Sequence, residues 1–460
     1  MDAPMQAIPP DHFLALSRLD GLLGLGSSEG NVYDTSTLAA HDFDPPPARL
    51  PADWEAWEAV LDEAIAESLQ LGDKPGITPA EMSRSESWRQ RVRELPVIPI
   101  LGLIRSETNL RRAHLVLAWT MHFYIHSLPP DVPVIVPAPV TIPLFQLCTH
   151  LQLPPVVTYA DTVLYNWTLK TPSNRPTPAL DNLQSRTLFT GTNDEQVFYL
   201  TSARMELRGV EALELMRSTM DEAFVGDDIA MRRITTFLAR LATVIDDLQT
   251  LLAGVRDGCD PNTFYTAIRP WFRGADSDPA KRRWEFEGMD SDPSWTYPAE
   301  LSGPSAGQSS LVHALDMFLG VDEFSHAPTL TGASSAQAQQ TKKSAFLTRM
   351  QLYMPRHHRN FLNHLAANPR PLRAIVAGAN DEKLLDAYNA AVGALKRFRD
   401  YHIQIVTSYI IQPARKAKAE SEAAAGTGKE PLKGTGGTDL AKFLKAVRDR
   451  TAAAVIESES

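Results

Sequence analysis

Only two cysteines, Cys148 and Cys259, occur in 460 residues. They are too few for a disulfide framework or a cysteine-built zinc site. No run of about 18 apolar residues exists, so no membrane-spanning helix is expected. No block of Lys or Arg occurs, and the net charge is −10, from 55 acidic and 45 basic residues. A nucleic acid or an anionic lipid surface is therefore not an expected partner. The opening MDAPMQAIPPDHF has no basic start and no apolar core, so no secretory leader is expected. Alternating strand patterns and internal repeats are also missing. What remains is a cytoplasmic, all-α protein. Its 43% hydrophobic content is ample for a core, and its length allows two domains.

The helical pattern begins at Trp54, where apolar residues recur at steps of three and four to about Leu71. Further helices are expected at 84–94 and 107–126. The stretch SLPPDVPVIVPAPVTIPLF (127–145) is dense in proline and reads as an extended connector. Helices should follow at 142–152 and through ADTVLYNWTLK (160–170). Residues 203–224 and 228–256 are long and amphipathic, and 310–319 is short. The pattern over 381–411 is the longest and should stop at Pro413. A mobile stretch over 415–437 and a last helix over 439–456 complete the chain.

On the longest helix, positions 385, 388, 392, 395, 399, 402, 406 and 409 share one face. Six of them carry Leu, Tyr or Val; the other two are Arg399 and His402. Spacing alone leaves two readings. One is a core histidine with a paired or snorkelling arginine. The other is an imidazole that ligates a buried cofactor, with a guanidinium that meets its anionic groups. No CxxCH is present, so covalent haem attachment is excluded. GTGKE (426–430) lacks the spacing of a phosphate loop. HFYIH (122–126) has ligand spacing but no third ligand. His357 and His358 read as structure at a helix start.

Several words occur in one order: LQLPPVVTYADTVLYNW (151–167), FYLTS (198–202), NTFYTAIRPWF (262–272), SAGQSS (305–310), YMPRHHRNFL (353–362), RDYHIQIVTSYI (399–410) and KGTGGTDL (433–440). Together they resemble the indoleamine 2,3-dioxygenase family, over about residues 50–450. The resemblance implies a two-domain all-helical fold, with a small N-terminal domain (1–188) and a large domain (189–460) that holds haem b. It implies insertion of both atoms of O₂ across the indole C2–C3 bond of L-tryptophan, giving N-formylkynurenine, the first step of a route toward NAD.

By the same resemblance His402 is the proximal haem ligand. Arg399 pairs with Asp316 near the propionates, and Ser305 and Ala306 form the loop over the haem. Phe264 packs on the indole, Arg269 holds the substrate carboxylate, and Ser202 orients from the distal side. Tyr159, Thr162, Val163 and Phe198 receive the indole ring, with Phe272 behind them. Thr435, Gly436 and Gly437 form the substrate side of a lid. Tyr265, Thr162 and Pro304 depart from the residues common in mammalian members. The implied cofactor state is ferrous, which requires an electron donor. The substrates are L-tryptophan and O₂, the chain is expected to be a monomer, and no distal general base is needed. The alternative is a haem protein of the same fold that binds O₂ with little or no tryptophan oxidation.

Overall fold

The computed structural model describes residues 46–173, 178–321, 346–367, 371–425 and 440–457. Helices dominate: α1 (Glu55–Ala66), α2 (Pro79–Arg93), α3 (Glu107–His126), α4 (Ala138–Leu151), α5 (Asn193–Val225) and α6 (Asp228–Ala253). After them come α7 (Ser310–Phe318), α8 (Arg356–Ala366), α9 (Leu372–Gly378), α10 (Glu382–Val406), α11 (Gln412–Ala425) and α12 (Leu440–Ala453). The all-α expectation holds.

The centre of the large helical layer is α6, flanked by α5 and α10. Its buried stripe, Ile234, Leu238, Leu241, Ile245, Leu248 and Leu252, steps by four and three. Each such side chain contributes roughly 1.5–3 kcal/mol on burial. Asp227 starts this helix by accepting from the Ala230 N–H at 2.7 Å. On α10, Tyr388, Val392 and Leu395 are buried as the periodicity requires. Tyr388 donates to the Leu319 carbonyl at 2.7 Å. Asn389 brackets the backbone of Ile456 at 2.9 and 3.0 Å, which fastens the end of the chain to α10.

The sequence expectations need correction in several places. Helix α5, expected from 203, starts at Asn193, and residues 415–425 of the stretch expected to be mobile are helical. Helix α4 begins inside the proline-rich stretch. Pro139 sits in its first turn, where no N–H is missed, and the helix tolerates Pro143 because Val140, Leu144, Leu147 and Leu151 are buried. The helix expected over 160–170 is a π-helical turn (160–164) followed by a strand. Four three-residue strands form two small pairs among the described residues. Val134–Val136 (β1) lies parallel to Trp284–Phe286 (β4), and Trp167–Leu169 (β2) lies antiparallel to Leu183–Ser185 (β3). Finally, the helical path does not stop at Pro413. A π-helical turn at 407–411 resets the register just before the proline, and α11 continues.

The segment that carries Phe264 and Arg269 is anchored from α3. His122 Nδ1 donates to the Trp271 carbonyl at 2.9 Å and His126 Nε2 to the Arg273 carbonyl at 2.9 Å. The Val157 N–H donates to the other nitrogen of His122 at 3.2 Å. Burial holds both imidazoles below their ordinary pKa, so they are neutral. These two histidines are structural pins. Trp119, Phe189 and Trp271 stack beside them, with centroids 3.9 and 5.3 Å apart.

Candidate active site

One cavity of about 280 Å³ opens between α5, α7, α10 and α12. His402 and Arg399 line it from α10, and Asp316 lines it from α7. Ser305 and Ala306 come from the loop before α7. Tyr159, Thr162, Val163, Phe198 and Ser202 line another side, with Phe264, Arg269 and Phe272. The structure thus brings together every expected site residue that it describes. Thr435, Gly436 and Gly437 lie outside the described residues.

Three π-helical turns border this cavity, through Thr162 and Val163, Phe264, and Tyr409. A π turn inserts one residue into a helical path and re-aims the side chains around it, a common device at functional sites. The first turn is built by Asp161. Its carboxylate accepts from the Thr158 N–H (2.8 Å), the Thr158 hydroxyl (2.7 Å) and His114 Nδ1 (2.9 Å). The third is held by the Tyr409 hydroxyl, which donates to the Cys259 carbonyl at 2.7 Å.

The aromatic wall is continuous. Phe198 and Phe264 have ring centroids 4.5 Å apart, and Phe272 lies 6.0 Å from Phe198. Arg269 is half-buried beside it, with its guanidinium 5.5 Å from the Tyr265 ring centroid. Burial lowers its pKa, the cost of holding a cation there. The loop 301–309 passes close to Phe272. A Cβ on Gly303 would fall 1.7 Å from the Phe272 carbonyl oxygen, so only glycine permits this approach. Gln308 fixes the loop to the wall by accepting from the Tyr159 N–H at 2.8 Å and donating to the Gly303 carbonyl at 2.9 Å.

At the α10 side, Arg399 Nη2 donates to both oxygens of Asp316 at 2.5 Å. Its Nη1 donates to the Thr451 hydroxyl on α12. Both members of the ion pair are buried. Asp316→Ala would strand the Arg399 charge and should cost about 3–5 kcal/mol. A thermal melt should show this as a fall of several degrees, and an unchanged midpoint would contradict the pairing.

His402 makes no hydrogen bond among the described residues. Burial and the nearby Arg399 charge lower its pKa to about 4, so the ring is a neutral imidazole near pH 7. No group of three or more His, Cys, Asp or Glu among the described residues could hold a bare metal ion. A neutral imidazole with no protein partner among the described residues, on a largely apolar cavity with the Arg399 cation at its edge, fits iron that brings its other ligands in a macrocycle. The residues therefore fit a haem.

Glu206, Gln308 and Thr451 were not expected. Glu206 is a buried carboxyl on α5 whose Oε1 accepts from the hydroxyls of Tyr159 (2.8 Å) and Ser309 (2.7 Å). Its signal was the one that exposed Arg399, a charged residue on an apolar helix stripe. Gln308 stood inside the SAGQSS word, but its Tyr159 partner lies in a distant segment.

The family model described as Indoleamine 2,3-dioxygenase matches residues 33–454. Indoleamine 2,3-dioxygenase 1 of Mus musculus is 31% identical over 370 residues, which cover 80% of this chain and 85% of the relative. Indoleamine 2,3-dioxygenase of Saccharomyces cerevisiae is 33% identical over 386 residues, 77% and 79% of the two chains. A protein named myoglobin from Haliotis madaka is 29% identical over 374 residues, 81% and 88% of the two chains.

Proposed function

The chain belongs to the indoleamine 2,3-dioxygenase family, and from that premise we propose that the cavity between α5 and α10 is where L-tryptophan meets O₂. The enzyme is a dioxygenase that inserts both oxygen atoms across the indole C2–C3 bond to give N-formylkynurenine. Substrate and O₂ together contain every atom and electron of the product, so no reductant is consumed per turnover. An electron donor is needed only to set the iron to its ferrous state beforehand.

In this reading the family's haem, taken as haem b, would be held by the His402 imidazole, with Arg399, Ser305 and Ala306 as the other residues of its site. The haem supplies O₂ activation when bound. The chain's own residues supply position. Phe198, Phe264 and Phe272 offer a flat apolar wall to the indole, and Tyr159, Thr162 and Val163 close the other side. Arg269 receives the carboxylate as a bidentate, charge-assisted pair. Ser202 offers a hydroxyl to orient the substrate. The apolar lining keeps water from the reacting carbons. A small N-terminal unit (1–188), a haem-holding unit (189–460), a monomeric state and a cytoplasmic site belong to the same proposal.

The observation that carries it is the half-buried Arg269 beside the Phe198–Phe264 wall, in the cavity that His402 lines. An O₂ carrier needs no cation for a substrate carboxylate. The test compares L-tryptophan with tryptamine, which has the indole but no carboxylate, on the reduced, haem-loaded protein. Tryptophan should be converted and tryptamine should lose at least about 30-fold in kcat/KM, the effect of one missing charged pair worth about 2 kcal/mol. Equal turnover of both would remove Arg269 from substrate binding. Conversion of neither, with O₂ still bound, would favour the carrier reading.

A further inference from the structure

Glu206 stands one helical turn beyond Ser202 and has no counter-ion among the described residues. It is 3% exposed. Its hydrogen bonds from Tyr159 and Ser309 converge on Oε1, while Oε2 is buried with no partner among the described residues. The two donors belong to different parts of the cavity. Tyr159 leads into the first π turn, on the indole side, and Ser309 ends the loop that carries Ser305 and Ala306.

We propose that Glu206 is a positioning residue for the reaction: its carboxyl ties the indole side of the cavity to the cofactor loop through the hydroxyls of Tyr159 and Ser309, and the tie tightens on ionisation. The proposal rests on the dioxygenase reading only for the identity of the substrate. A neutral amide would give the same two donors an acceptor oxygen without a buried acid. A carboxyl costs stability there, and it adds one capacity, a change of charge.

The surroundings leave that change to Glu206 alone. From the π turn it faces the Tyr159 phenol, whose own pKa is pushed well up by burial and by Glu206. The loop presents only the Ser309 hydroxyl. On its own helix, Arg204 turns to the Leu180 carbonyl and Arg208 to Asp247 and Glu211. His313 on α7 lines the cavity but is committed to the Gly307 carbonyl at 2.9 Å, and burial lowers its pKa. Asp316 is paired with Arg399. Burial pushes the Glu206 carboxyl up to about 7, against the opposing pull of its two hydroxyl donors. Below that value it is protonated and a weaker acceptor. Above it, O–H···O⁻ bonds are roughly twice as strong as neutral ones.

The sign for stability is opposite to that for binding. A carboxyl raised above its ordinary value favours the folded state at low pH. That advantage is lost as pH rises from the ordinary carboxylate range through about 7. Glu206→Gln should therefore melt with wild type near pH 5 and above it near pH 8.

The experiment measures binding of L-tryptophan and of indole to haem-loaded protein without O₂, from about pH 6 to about pH 8. In wild type both affinities should rise about three- to tenfold with a midpoint near 7, a gain on the scale of one strengthened hydrogen bond. Glu206→Gln should hold the weak plateau at every pH, and Tyr159→Phe should reduce the amplitude. A titration that survives in Glu206→Gln with the same midpoint overturns the proposal. So does a pH-dependent gain in melting temperature with no change in binding, since Glu206 would then be only a buried acid. Should Glu206→Gln fail to fold, an undiminished amplitude in Tyr159→Phe overturns it instead. If tryptophan does not bind but indole binding titrates through Glu206, the substrate assignment fails and the tie stands.

Discussion

His402→Ala should be purified without haem and without activity. The imidazole is the only described histidine, cysteine or carboxylate on the cavity that is not committed to a protein partner. His313 bonds the Gly307 carbonyl, and Asp316 is tied to Arg399. No neighbour can take over. Loss of a partner one layer behind a ligand costs 10–100-fold in metal affinity, and loss of the ligand itself should exceed about 100-fold. The helix should survive, because the His402 ring makes no hydrogen bond with the described residues and its removal leaves no polar group stranded. Far-ultraviolet circular dichroism should match wild type while the haem absorbance is lost. Haem retained at one equivalent would show that another residue holds the iron.

Arg269→Ala is the second large effect, of a different kind. Haem content and its spectrum should be normal, because Arg269 lies on the aromatic wall and not with Arg399 and Asp316. Turnover of tryptophan should fall by roughly 30-fold to several-thousand-fold, the range for loss of one partner of a buried charged pair at about 2–5 kcal/mol. Arg269→Lys should recover only part of this. A lysine keeps the charge but cannot grip a carboxylate with two parallel N–H donors. Full activity in Arg269→Ala would end its role as the carboxylate anchor.

What the sequence made legible follows from what repeats along it. The α10 stripe has a period, so two polar residues on it stood out, and both line the cavity. Helix α6 and the part of α5 from 203 onward were legible for the same reason. The π turns were not, because a single inserted residue leaves no period to read. Nor were β1 to β4, since three residues are too few to alternate visibly. The start of α4 was missed because its prolines read as a connector, although Pro139 stands where a helix loses no N–H and burial of Val140 and Leu144 supports the turn. The Asp316 partner was implied by resemblance, but the Thr451 contact joins residues 52 positions apart and has no local signal. Glu206 was legible in principle. It shares a face with Tyr199, Ala203, Leu213 and Met216, and a charge in that company needs a reason.

The central claim is that this cavity lets tryptophan and O₂ combine with no other oxygen source. Reduced, haem-loaded protein is supplied with L-tryptophan and isotopically labelled O₂ in unlabelled water, and the product mass is read at early times. The account predicts N-formylkynurenine carrying two labelled oxygens. A product with one labelled oxygen and one from water would contradict it, and so would unaltered tryptophan beside a haem that still binds O₂.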